Sequence, residues 1–253
     1  MKRALFLLVI GPVLSSCGAA TTAAGPTTPP SYKASVLADH PVAYWRLDEA
    51  TGTVMADATG NGHDGIYAGA FSLGQPGALA SDDDSSVGFD PAGGAATVAS
   101  SPSFQVNRVS IEIWINKRAN TEYGAYVSKN FAPGDVAGTG WFQLLNDHHS
   151  GRLALRVTED NATLVSSKLL GLNTWYYVVA TYDGTTAKLF INGKLDSSIA
   201  VAVTPKQTAD PLYIGRRADG LFNNAILDEI AIYPNALSSD RIAAHWRAAS
   251  STP

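Results

Sequence analysis

The chain of 253 residues holds one cysteine, Cys17, so no disulfide can cross-link its fold from within. It also lacks an apolar run of the roughly 18 or more residues that a membrane-spanning helix requires, since the stretch from Ala4 to Leu14 falls well short. Basic residues are few and unclustered, 18 against 22 acidic, which argues against a nucleic-acid partner. No G-x-S-x-G nucleophile elbow occurs. Nor does an E-x-D-x-x-E run, which would set two carboxylates on one strand face for glycoside hydrolysis. Asp228 and Glu229 are adjacent, and strand alternation sends neighbours to opposite faces. The expectation is therefore a protein that is not an enzyme, with a glycoside hydrolase as the third-ranked reading.

What is present begins with an export signal. Lys2 and Arg3 precede the apolar run, and small residues follow it, the pattern of a secretory signal peptide over residues 1–16. Leu14-Ser15-Ser16-Cys17 resembles the lipobox of bacterial lipoproteins, and that resemblance implies cleavage before Cys17 and lipidation of its thiol. The alternative is a secreted protein whose lone cysteine is discarded with the leader. Residues 17–35, small, polar and proline-bearing, read as a flexible tether. Residues 36–249 read as one domain and 250–253 as a tail. Loss of Lys2 and Arg3 leaves 16 basic residues against 22 acidic ones, a formal charge of −6. Membrane contact is expected through the lipid anchor only. Gly18 rather than an aspartate follows Cys17, which points to the outer membrane or cell surface.

Hydrophobic alternation identifies the domain as all-β. Ile111, Ile113 and Ile115 share one face of a strand, and Glu112, Trp114 and Asn116 the other. Between Trp175 and Lys194 two β-rich runs meet at Asp183-Gly184, and Asn192-Gly193 supplies the next reversal. Further strands are predicted at 42–47, 63–67, 87–90, 141–145, 152–157, 211–215 and 226–233. Ser238 stands as an N-cap before a terminal helix, DRIAAHWRA. Many short strands and one late helix predict an antiparallel two-sheet β-sandwich.

The motifs AYWRLDEATG (43–52), DATGNGHDG (57–65), VGFD (87–90), SIEIWIN (110–116), NTWYYVVATYDGTTAKLFINGK (173–194), PLYIGRR (211–217) and AILDEIAIYPNALSSDRIAAHW (225–246) follow one another in order. Together they resemble the laminin-G-like, concanavalin-A-like jelly-roll modules of bacterial extracellular proteins. The resemblance covers essentially the whole mature domain. It implies a jelly-roll fold, a carbohydrate-binding or adhesive role and, in many such modules, one calcium ion. It further implies that the Asp-Glu pair at 228–229 and the loop at 57–65 lie near one another.

Calcium takes six to eight oxygens. Asp57, Asn61 and the carbonyls around Gly60 and Gly62 supply several, with Asp64 as a further donor and His63 contributing a carbonyl or nothing. Asp228 shares its parity with Ile226, Ile230 and Ile232, and a carboxylate on an apolar face needs a partner. A cation shared with Asp57 would supply one. The alternatives are a tight turn in which Asp57 bonds local backbone, and an ion pair from Asp228 to Arg46 or Arg241. For a polysaccharide or other glycan the candidates are Trp141, Tyr123, Tyr126, Asp147 and His148, in or beside the loops around 141–145; Trp141 and Tyr126 are alternatively core aromatics. Trp45, Trp114, Trp175 and Trp246 read as packing residues. His148 and His149 offer two of the three or four ligands a zinc site needs and otherwise form a polar turn. A protein-interaction or envelope-structural lipoprotein without a sugar site is the runner-up. No feature indicates the oligomeric state.

Overall fold

The computed structural model describes residues 30–79, 82–129, 142–148, 150–157, 163–205 and 208–250. Helix α1 (Tyr32–Ala38) precedes β1 (Ala43–Trp45), β2 (Val54–Met55), β3 (Gly65–Ala68), β4 (Phe71–Pro76), β5 (Ser85–Phe89) and β6 (Ala95–Val98). Then come β7 (Val109–Lys117), β8 (Ala125–Lys129), β9 (Phe142–Asn146), β10 (Leu153–Val157) and β11 (Thr163–Val165). The chain continues through β12 (Trp175–Tyr182), β13 (Thr186–Ile191), β14 (Lys194–Ala200), β15 (Leu212–Ile214), β16 (Ala225–Tyr233) and α2 (Ser239–Ser250).

The strands form two antiparallel sheets. The first runs β14-β13-β12-β7-β16-β5-β4 with β1 added against β16, and the second runs β11-β10-β9-β8-β15-β6-β3-β2. Alternation decides which side chains fill the space between them. Ile111, Ile113 and Ile115 from the first sheet meet Leu144, Leu155 and Ile214 from the second, in a core that also takes Trp45 and Phe104. The two Asx-Gly turns form the expected reversals, with Gly184, Asn192 and Gly193 all at positive φ. A Cβ at Gly193 would lie 2.8 Å from Trp246, so this turn is also where α2 docks. Trp246 stacks there on Trp114 and Tyr177. Ser238 caps α2 as predicted, its Oγ accepting from Arg241 N at 3.3 Å.

The outer face of the first sheet is covered by both helices, with Tyr44, Trp114, Tyr177 and Tyr233 packed against Tyr32, Val36 and Ile242. Helix α1 was not expected. At seven residues it is too short to persist on propensity alone. Tertiary contacts hold it: Tyr32 is buried, and its hydroxyl donates to Glu112 at 2.8 Å. The packed unit therefore includes Tyr32 and Ser35, ahead of the boundary drawn at residue 36.

A second departure lies in β16. A β-bulge interrupts its pairing with β7 between Asp228 and Ala231, and Glu229 sits at φ +51°. Ala225 and Leu227 before the bulge, and Ile230 and Ile232 after it, all enter the core. The extra residue resets the parity. Asp228 thus leaves the face that Ile230 and Ile232 occupy, and Asp228 and Glu229 point to the same side. The expectation of opposite faces is corrected.

Candidate functional site

The turn at 57–65 is tied together by hydrogen bonds within the protein. Asp57 Oδ1 accepts from Tyr44 N at 3.1 Å, Thr59 N at 3.0 Å and Thr59 Oγ1 at 2.7 Å, and Oδ2 accepts from His63 N at 3.1 Å. Asn61 Nδ2 donates to Val42 O at 3.0 Å, and His63 O accepts from Trp45 Nε1 at 2.8 Å. Gly60 and Gly62 supply the positive φ that this path requires. The stretch staples the loop to β1 through hydrogen bonds.

Asp228 gathers different partners. Among the described residues, Asp84, Asp228 and Glu229 form a group with one carboxylate oxygen each within 4.8 Å of the others. The bulge makes this possible by turning two consecutive acids to one side. Arg46 lies against the group, Nη2 at 2.5 Å from Asp84 and Nε at 3.3 Å from Glu229, with Asp48 and Asp82 at the rim. Tyr44 Oη also donates to Glu229. The ion pair considered between Asp228 and Arg46 is replaced by pairs from Arg46 to its neighbours, and Arg241 pairs with Asp39. Asp228 Oδ2 accepts from Ala78 N at 2.8 Å, but its Oδ1 and Asp84 Oδ1 are buried without a hydrogen-bond partner. One guanidinium cannot neutralise three carboxylates. Burial, and then the neighbouring carboxylates, accordingly raise Asp228 and Glu229 well above the ordinary acid range, and burial raises Asp84. The donor set is all oxygen and in excess of its counter-charge, which fits a hard divalent cation.

The outer face of the second sheet carries a different arrangement. Pairing registers align Arg156 with Gln143, Gln143 with Ser128, Ser128 with Tyr213 and Tyr213 with Thr97. Directly paired residues in antiparallel strands share a face, so this is one polar row across five strands. Gln143 is 1% exposed, yet neither Nε2 nor Oε1 has a partner, and the Ser128 hydroxyl also has none. Each such buried orphan costs about 1–3 kcal/mol. Arg156, Tyr213 and Thr97 are half-buried and reach solvent. Arg216 lays its guanidinium over Tyr213, Cζ 4.4 Å from the ring centroid.

Beside this row lie two of the residues expected to touch sugar. Tyr123 stacks on His148 with centroids 4.7 Å apart, and Arg156 and Arg217 sit over the Tyr123 ring at 5.0 and 5.5 Å. His148 Nδ1 lies 3.3 Å from Glu122. Asp147 closes a local turn by accepting from Ser150 N and Oγ. Tyr126 is corrected: it belongs to the core between the sheets, and its hydroxyl is already spent on Asn146 at 2.8 Å. Burial of this phenol raises its pKa. Cys17, Trp141 and His149 lie outside the described residues.

Residues 90–243 match the family model described as the concanavalin A-like lectin/glucanases superfamily. The chain belongs to that superfamily. Solved structures agree on the fold. Domain 4 of AbnA, a GH43 extracellular arabinanase from Geobacillus stearothermophilus in complex with arabinotriose, superposes with a TM-score of 0.66 at 15% identity, over 81% of this chain and 97% of that one. Trypanosoma rangeli sialidase in complex with 2,3-difluorosialic acid gives 0.61 at 15%, over 81% of this chain but only 32% of the sialidase. The binding domain of Paraclostridial Mosquitocidal Protein 1 gives 0.58 at 15%, over 83% and 52%. No curated protein matches. Both binding modules and glycoside hydrolases share this superfamily's fold, so the site must decide the function.

Of the superfamily member's two polar centres, sequence reasoning found Asp228 and missed Asp84, Glu229 and the row from Arg156 to Tyr213. Gln143 carried one readable signal, an amide inside the apolar run Phe142-Gln143-Leu144-Leu145. Its neighbours on β8 and β15 come from distant parts of the chain, and the cross-strand register is what assembles them.

Proposed function

We propose that the protein is a non-catalytic carbohydrate-binding module, tethered to the bacterial envelope by lipid on Cys17 and stabilised by calcium at Asp84, Asp228 and Glu229. The observation that carries the binding reading is the Gln143 amide, buried in the polar row with both of its hydrogen-bonding atoms unpaired. Sugar hydroxyls donate and accept at once, as this amide does, and Tyr213 and Thr97 continue the row toward solvent. The arabinotriose complex of the AbnA domain supports the reading by analogy of fold. The acidic group at Asp228 is assigned to a cation and not to hydrolysis. Asp228 and Glu229 are fully buried; Arg46 and Tyr44 hold the two oxygens of Glu229, and Ala78 N–H holds one of Asp228. A glycosidase instead needs a solvent-reachable acid beside the scissile bond.

The test is affinity electrophoresis of the full chain in detergent through gels containing neutral or acidic polysaccharides, with a reducing-end assay on the same panel. Retardation without new reducing ends is expected, at affinities of about 4 to 8 kcal/mol, micromolar to millimolar. Tyr213→Ala should weaken it. Reducing ends that accumulate in proportion to protein would establish a hydrolase, and no retardation anywhere would overturn the sugar-binding reading in favour of an envelope-structural or protein-interaction role. Many copies on one membrane would raise avidity without new contacts. The tether has its own test: intact-mass analysis should show a chain beginning at Cys17 with added acyl mass, and an unmodified Cys17 would refute it.

A further inference from the structure

We infer that the polar row on the second sheet selects acidic polysaccharides, with Arg156 and Arg216 each receiving a sugar carboxylate. The inference rests on the glycan-binding reading and deepens it.

The chain is acidic overall, with 22 Asp and Glu against 18 Lys and Arg, yet this face gathers arginines. Arg217 is paired, its Nη2 2.7 Å from Asp219. Arg156 and Arg216 pair with no carboxylate among the described residues. Their contacts are with rings, Arg156 over Tyr123 and Arg216 over Tyr213 and Phe222. The Arg216 Nε is buried without a partner. Stacking holds each guanidinium plane while leaving its in-plane donors free, and that fork matches a carboxylate in two-point geometry.

Placement turns these two cations into a pattern. Arg156 ends the Arg156–Gln143–Ser128–Tyr213 alignment on β10, and Arg216 covers its other end at Tyr213 on β15. Three strand spacings separate those ends, about 14 Å at about 4.8 Å each. Between them lie the unpaired Gln143 amide and Ser128 hydroxyl. The row therefore presents a half-buried cation near each end, with unpaired neutral hydrogen-bonding groups buried between them. A polymer with carboxylates on repeating sugars and hydroxyls between them has that sequence of groups, and a neutral glycan leaves both arginines unanswered.

The test uses isothermal titration of the full chain in detergent with oligogalacturonate, with the same oligosaccharide after its carboxyls are reduced to alcohols, with dextran sulfate and with neutral arabinan. Oligogalacturonate should bind, and carboxyl reduction should weaken it at least tenfold. Arg156→Ala and Arg216→Ala should each weaken it at least tenfold while melting temperature stays within a few degrees, and Arg156→Lys should restore only part of the loss. Gln143→Leu supplies a second readout that a structural residue would not give: it removes buried orphans, so it should raise the melting temperature and weaken binding together. Equal binding of native and reduced oligosaccharide, or binding of arabinan alone, would overturn the inference and leave the glycan reading standing. Tighter binding of dextran sulfate than of oligogalacturonate would overturn carboxylate selection in favour of charge alone. Binding of no polysaccharide would overturn both readings.

Discussion

Glu112→Ala should lower the unfolding free energy by about 3–5 kcal/mol, the usual cost of deleting one partner from a buried charged network. Three hydroxyls converge on this carboxylate, from Tyr32 and Tyr177 at 2.8 Å and Tyr233 at 2.7 Å, and His245 Nδ1 lies 3.0 Å from both of its oxygens. His245 Nε2 in turn meets Asp39 at 3.0 Å. Glu112 and His245 are fully buried, so the variant would strand four donors between the helices and the first sheet. For a domain of this size the loss corresponds to a fall of about 6 to 20 °C in melting temperature. The pH dependence gives a second check. Burial alone would raise Glu112, but the hydrogen bond and charge of His245, with the tyrosine hydroxyls, hold it below its ordinary value. Burial alone would lower His245, but Glu112 and Asp39 hold it above its ordinary value. The histidine's share of stability is complete below its unfolded value of about 6.5 and is lost as pH rises through the raised folded value. The glutamate's share is present above about 4.3 and is lost as pH falls through the lowered one. The melting-temperature gap between wild type and His245→Gln should therefore narrow from pH 6 to pH 9. A gap that stays constant would mean the imidazole is neutral in the fold.

How much of this was legible in the sequence follows from how far each signal acts along the chain. Ile111, Ile113 and Ile115, and the Asp183-Gly184 and Asn192-Gly193 turns, are local, and they gave the sandwich and its hairpins. Ser238 declared the start of α2 in the same way. Helix α1 was hidden because what holds it, Glu112, lies 80 residues away. The bulge at Glu229 was hidden because Ala-Ile-Leu-Asp-Glu-Ile-Ala-Ile-Tyr reads as unbroken alternation, and one inserted residue reverses every facing after it. That slip misplaced Asp228 and concealed its meeting with Asp84 and Glu229. The oxygens of Asp57 stand out in the sequence, but their acceptance of hydrogen bonds from Tyr44, Thr59 and His63 depends on how the loop folds back on β1.

Asp228→Asn should separate a cation from a mere crowding of acids, because the two make opposite demands on the same side chain. Burial and the surrounding carboxylates raise Asp228 in the fold. An acid so raised costs nothing below its unfolded value of about 3.9, and its penalty grows as pH climbs from there toward the folded value. At neutral pH in chelator, the amide should therefore match or exceed the wild type in stability. It keeps a carbonyl for Ala78 N–H, which Asp228 Oδ2 now receives at 2.8 Å, and it sheds the charge. Calcium should reverse the order. A ligand that binds only the folded state at about 100 times its dissociation constant adds roughly 2.7 kcal/mol. The wild type should gain that increment through Asp84, Asp228 and Glu229, and the variant, with one donor neutralised, should gain little. The measurement is a set of four melting curves at pH 7.5, each protein in chelator and in millimolar calcium. Wild-type curves that coincide in the two conditions would leave the carboxylates to share protons and would remove calcium from the proposed function. A variant less stable than wild type in chelator would show that the Asp228 charge already has a partner within the protein. The crossing of the two orders is the result expected if the bulge in β16 exists to place a cation there, bridging the strand that carries Asp228 and Glu229 to Asp84, which lies 144 residues earlier in the chain.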